Sequence, residues 1–155
     1  MKQRYYTHRI SESEKRYRIL TDLISDYAYY DEIDEKGQMN ILWMTESFTR
    51  LTGYTLEEAN TPDFPMRYLH PEDTPQILDI FRTVLGGKPD SREGRVITKD
   101  GRVRWLYNYI APIWDEKLKR VTHLYGIARD ITERKETEIQ YHSLAMKQAE
   151  IEMQV

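Results

Sequence analysis

The 155-residue sequence contains no cysteine. Disulfides, thiolate zinc sites and cysteine nucleophiles are thereby removed together. No run approaches the ~18 apolar residues of a membrane span. The opening MKQRYYTHRI is basic but lacks the apolar stretch of a signal peptide. The cytoplasm is the simplest location. There is no basic excess either: 23 Lys and Arg against 26 Asp and Glu leave a net charge of −3. That argues against nucleic acid as a partner. A Gly-rich phosphate loop, a nucleophile–base pairing and an ATP motif are all missing, so nothing supports an enzyme. His142, in YHSLAMK, has no phosphoacceptor surroundings and reads as a surface helix residue.

What is present fits one domain. Hydrophobic residues at 39% supply a core, and charged residues at 32% demand a highly solvated surface. Tyrosine, at 12, offers apolar area with a polar tip, which suits cavity walls and interfaces.

Ser11 and Glu14 have capping-box spacing ahead of a helix that runs to about Ser25. DYAYYDEID (26–34) and MNILWMT (39–45) read as strands joined by a turn at Gly37. Either Ala28 and Tyr30 or Tyr27 and Tyr29 face inward, because one residue of slip reverses every side chain. ESFTRLTGY predicts a turn or two of helix stopped by Gly53, and Thr55 is a good cap for TLEEA. A stronger helix spans 74–85, capped by Thr74 or Asp73, with Ile77, Phe81, Val84 and Leu85 on its apolar face. Strands follow at 92–98, 103–114 and 121–130, the first two joined at Asp100-Gly101. Apolar residues on both faces of the last two require cover on both sides. Together these elements predict an α+β fold with one five-stranded antiparallel sheet.

Six stretches, in order, resemble a PAS domain ending in a PAC motif. They are SEKRYRILTDLISD (13–26), FTRLTGYTLEE (48–58), YLHPED (68–73), RVITKDGRVRWL (95–106), API (111–113) and GIARDITERK (126–135). The resemblance implies a PAS-like sheet with short helices on one face, an N-terminal flanking helix and a C-terminal linker helix. It divides the chain into a linker (1–12), a sensor domain (13–132) and a signalling helix (133–155). It further implies a sensory or dimerisation module that precedes an output domain such as a histidine kinase or a cyclic-dinucleotide synthase. Thr45 stands where the family often has Asn, which puts a hydrogen bond to the following helix in doubt.

In such a domain a ligand cavity lies between the sheet and the short helices. The lining expected here is Tyr30, Trp43, Phe48, Phe64, Met66, Tyr68, Leu78, Phe81, Val96, Leu106, Tyr107, Tyr109 and Tyr125, with Asn108 and tyrosine hydroxyls as polar anchors. The competing reading, that these residues fill a core, stays open. Without cysteine, cysteinyl-flavin photochemistry and a cysteine-linked chromophore are excluded, though simple flavin binding is not. Helix 74–85 has no histidine, which argues against haem by the family's usual route and leaves other axial ligands open. An unidentified small molecule remains the cofactor expectation. His70, Glu72 and Asp73 read as a turn and helix cap rather than a metal site, and His8, His123 and His142 show no ligand spacing.

The signal joint is expected at Asp130-Ile131-Thr132, with Thr132 capping the departing helix and Arg134 as one partner for Asp130. Ile139, His142, Met146, Ala149 and Met153 form a heptad-like seam beyond it. A homodimer through the N-terminal helix, the outer sheet face and the C-terminal helix is the expected assembly.

Overall fold

The computed structural model describes residues 26–154. The expected linker 1–12, the capped helix that follows it, and His8 lie outside the described residues. Period-two alternation produces β1 (Tyr27–Ile33) and β2 (Met39–Met44). Asp34 closes their turn, its carboxylate accepting the amides of Lys36 and Gln38 at 2.9 Å, and Gly37 supplies the positive φ of 79°. Three short helices follow: α1 (Ser47–Thr52), α2 (Leu56–Ala59) and α3 (Phe64–Tyr68). Gly53 ends α1 in the left-handed region, and Thr55 with Glu58 forms a reciprocal capping box on α2. A 3-10 turn (Pro71–Asp73) leads into α4 (Thr74–Leu85). Then come β3 (Asp90–Ile97), β4 (Val103–Asp115), β5 (Arg120–Asp130) and α5 (Thr132–Met153).

All strand pairs are antiparallel, in the order β2-β1-β5-β4-β3. The five-stranded α+β fold is therefore as the sequence predicts. The last strand enters the middle of the sheet, between β1 and β4. Register resolves the ambiguity in β1. Tyr27 pairs with Ala128, Tyr29 with Gly126 and Asp31 with Leu124. Tyr27, Tyr29, Asp31 and Ile33 accordingly face the helices, and Tyr30 faces away.

The core lies between that inner face and the short helices. One cluster joins Tyr27, Leu106 and Ala128 of the sheet to Phe48, Tyr54, Phe64 and Tyr68. A second joins Ile33, Ile110, Val121 and Leu124 to Val84, with Ile80 against it. Of the apolar face expected on α4, Val84 is buried, Ile77 and Phe81 are half-buried and Leu85 is exposed. Ile80, one turn before Val84 on the same face, packs against that cluster in place of the expected Leu85.

The expected cap by Asp73 or Thr74 is not made. The Asp73 side chain makes no cap hydrogen bond and instead accepts the Arg95 amide at 2.8 Å and its guanidinium at 2.6 Å. Thr74 donates to the Pro71 carbonyl at 2.8 Å. A charged partner within reach outbids a neutral amide for the carboxylate.

Candidate functional site

The inner face carries an unusual density of phenols. The rings of Tyr27, Phe48, Phe64 and Tyr68 meet at centroid distances of 4.9 to 6.4 Å, mostly edge to face. Tyr27 and Tyr68 share a hydroxyl–hydroxyl hydrogen bond of 2.8 Å. The Tyr29 hydroxyl donates to Asn108 Oδ1 at 3.1 Å. Burial raises all three phenols well above their ordinary range, so they stay neutral donors. Tyr29 lies across Gly126 so closely that a Cβ there would sit 1.9 Å from its ring.

Beside this cluster is a carboxyl that the sequence did not advertise. Asp31 is only 8% exposed, and its Oδ1 is sealed from solvent without a hydrogen bond among the described residues. Burial pushes its pKa up to about 7. A signal existed: once Tyr27 and Tyr29 are placed inside, alternation puts Asp31 inside as well.

The expected cavity lining divides. Phe48, Phe64, Tyr68, Val96, Leu106 and Asn108 do face the interior. Tyr30, Trp43, Tyr107, Tyr109 and Tyr125 do not, and this corrects the expectation. They lie on the opposite face, where Tyr30 stacks on Tyr125 at 4.6 Å and on His123 at 5.1 Å. Aromatic residues crowd both sides of this sheet, so ring content alone could not assign a face. Met66 and Leu78 are also corrected: they are 87% and 60% exposed, on the solvent sides of α3 and α4. Phe81 is half-buried.

At the far end of β5 the joint is built on β4. Asp130 Oδ2 accepts Nε–H and Nη–H of Arg104 at 2.9 and 2.6 Å. Its Oδ1 accepts the Thr132 amide at 2.9 Å and the Thr132 hydroxyl at 2.5 Å. The Trp105 amide donates to Thr132 Oγ1, and the Ile131 amide to the Trp105 carbonyl, both at 2.8 Å. Thr132 is thus the first residue of α5 and not its cap, while Asp130 takes the first free amide. Arg134 is not the partner of Asp130. It pairs with Glu93 of β3 and, at 3.6 Å, with Glu138.

Lys135 also pairs with Glu93, and that bond holds the Glu93 carboxyl below its usual range. Lys135 and Arg95 each lie about 5 Å from the centre of the Trp105 ring. At Asp73, burial alone would raise the carboxyl, but its bonds to Arg95 outweigh that and hold it low. A continuous string of charges and one indole therefore links the start of α4 to the first turns of α5.

Thr45, at the position where Asn was expected, keeps contact with both neighbours. Its hydroxyl accepts the Ala28 amide at 3.0 Å and meets the Ser47 hydroxyl at 3.0 Å. His70 uses Nδ1 to accept the Glu72 amide at 3.2 Å. Among the described residues no group of three or more His, Asp or Glu is placed to hold a metal. No described helix is long and apolar enough to cross a membrane.

With this geometry, residues 41–128 match the family described as PAS fold. The chain belongs to that family. Among solved structures it is similar to an RNA-binding light-oxygen-voltage receptor, with 25% identity and a TM-score of 0.62. The match covers 85% of this chain and 38% of the receptor, so the chain spans well under half of that protein. A sensory box histidine kinase/response regulator from Burkholderia thailandensis is 22% identical, TM-score 0.63, with 88% of this chain and 97% of that one covered. The N-terminal domain of a diguanylate cyclase with PAS/PAC sensor from Marinobacter aquaeolei is 19% identical, TM-score 0.59, covering 70% and 98%. The last two show the fold alone. No curated protein matches the chain.

Proposed function

We propose that this PAS domain is the signal-relay module of a larger signalling protein. It converts a change at the inner sheet face, made by a small molecule or a partner, into a change in the orientation of α5. The observation that carries this reading is the joint. Asp130 and Trp105 fasten the first turn of α5 to β4 through four hydrogen bonds and a two-point ion pair, in which Asp130 is the acceptor from Arg104. Strand β4 also presents Leu106, Asn108 and Ile110 to the core. A shift of the inner face is thus delivered within one or two residues to the root of the helix. A signal can move this equilibrium only by favouring one arrangement over the other.

Relatives in fold are named as a histidine kinase and a diguanylate cyclase, and an output domain of either type beyond α5 fits the reading. The exposed Ile139, Met146 and Met153 on α5 are the surface we assign to a partner helix in a homodimer. Asp130→Ala in the full-length protein tests the relay. Loss of response or a changed basal output is expected; an unaltered output and response would remove the joint as transmitter.

The packed rings of the inner face favour a second reading, a ligand-free dimerisation scaffold. Native mass spectrometry separates the two. A retained small-molecule mass supports sensing, and a clean apo dimer supports the scaffold.

A further inference from the structure

The inner face contains a group that neither packing nor hydrogen bonding explains. Asp31 is more than nine-tenths buried, and its sealed oxygen has no partner among the described residues. An ionised carboxylate in that state is costly unless it is paired or hydrated.

Among the described residues no counter-charge pairs with it. From its own strand come the neutral phenols of Tyr27 and Tyr29. Strand β5 presents Leu124 and β2 presents Ile41. Helix α4 brings Ile80 and Val84 to this part of the core, while its Asp79 and Arg82 are exposed. The nearest charges along the chain are engaged elsewhere. Glu32 lies on the opposite face and is exposed, and Asp34 closes the hairpin turn. Arg120 donates to the carbonyls of Ile33 and Asp34.

The sheet is also irregular here. The β1–β2 register shifts between Tyr30 and Asp31: Tyr30 pairs with Trp43 and Asp31 with Ile41. Leu42 is left as the extra residue of a bulge, and β2 is an edge strand. Ile41, opposite Asp31, is held on its other side by Asn60, whose side chain bonds both its amide (2.7 Å) and its carbonyl (3.1 Å). Opening the bulge would therefore pull on the end of α2.

We infer that Asp31 is a proton-operated switch: loss of its proton to solvent draws water into the bulge and loosens β2 from β1. The neutral carboxyl leaves the hairpin closed. The ionised one is relieved most cheaply by hydration through the bulge, because among the described residues no cation pairs with it. The upward displacement of its titration by burial agrees with this geometry.

The switch rests on the relay reading only for where its effect is delivered. Its test is local. Carbon-13 NMR of the Asp31 carboxyl in the whole chain, between about pH 4 and 9, reads the proton directly. Amide exchange at Thr45, whose amide donates to the Ala28 carbonyl at 3.0 Å, corrected for its intrinsic pH dependence, reads the hairpin in the parent and in Asp31→Asn. The carboxyl is expected to titrate near neutrality. Exchange should rise by up to about tenfold per pH unit toward that midpoint and level off above it, in the parent alone. Titration in the ordinary acidic range, or the same exchange profile in Asp31→Asn, would overturn the switch and leave the relay standing. A hairpin that titrates in the parent and not in Asp31→Asn supports the switch, whatever Asp130→Ala shows of the relay.

Discussion

Arg104 reaches Asp130 with two guanidinium hydrogens, at 2.9 and 2.6 Å, across the β4–β5 ladder. The pair does more than join two strands, since the other oxygen of the same carboxylate holds the start of α5. Arg104→Leu should cost about 2 kcal/mol, the usual worth of charge-assisted bonds at a half-buried site. Urea denaturation measures that loss. Amide exchange in the first turn of α5 should accelerate with it. A loss of stability with an unchanged first turn would show that Arg104 braces the sheet only.

Lys135 and Trp105 provide a second tie on α5, at 5.0 Å from nitrogen to ring centre. A double-mutant cycle with Lys135→Ala and Trp105→Leu is expected to give a coupling of about 0.5–1 kcal/mol, as for a cation on a solvent-accessible aromatic face. Added salt should weaken the neighbouring Lys135–Glu93 pair while leaving most of this coupling. A coupling indistinguishable from zero would reduce the contact to proximity.

Gly126 is predicted to tolerate no side chain while Tyr29 is present, because a Cβ would fall inside the ring. Gly126→Ala should destabilise by roughly 1–3 kcal/mol, the range for overpacking a core. Adding Tyr29→Ala should recover part of the overpacking cost, although it also forfeits the bond to Asn108. Thermal melts of the single and double variants check this. Equal or greater loss in the double variant would place the cause elsewhere.

Asp31 should contribute a loss of stability as pH rises from about 4 toward 7. Its folded pKa, about 7, lies above the ordinary carboxylate value. Between the two, the folded chain holds a proton that the unfolded chain has released, so raising pH favours unfolding. The stabilisation is complete below the unfolded value and lost as pH passes through the folded one. The slope contributed is about 1.4 kcal/mol per pH unit at most. Asp31→Asn should remove it and be the more stable protein at pH 8. Parallel denaturation curves at several pH values decide the matter.

The strands, the hairpin turns and α4 were legible because alternation, Gly37, Gly101 and the 3.6 period are local signals. The face of β1 was not, since Tyr-Ala-Tyr-Tyr satisfies either choice until Asp31 and Ile33 are paired with β5. That single ambiguity placed Tyr30 and Tyr125 in the wrong layer and hid Asp31. Alternation in β4 was clear, but its rings at Tyr107 and Tyr109 drew the assignment inward although they face out. Partners far apart in the chain were equally hidden. Arg104 stands 26 residues from Asp130, whereas Arg134 is only four away and was the natural guess. The seam on α5 is a matter of spacing in the sequence, and beyond Lys135 the helix is exposed in the single chain.

The position of β5 has a consequence for synthesis. The strand made last is the one that joins the two halves of the sheet, since β1 and β4 are ladder-paired only with it and with their own hairpin partners. A chain emerging from the ribosome therefore carries the β1–β2 hairpin with its inner edge unpaired until residue 130 is free of the exit tunnel. Any product ending before β5 would be two hairpins that no strand joins. Such fragments should be cleared by proteases or aggregate, so the domain is made whole or not at all.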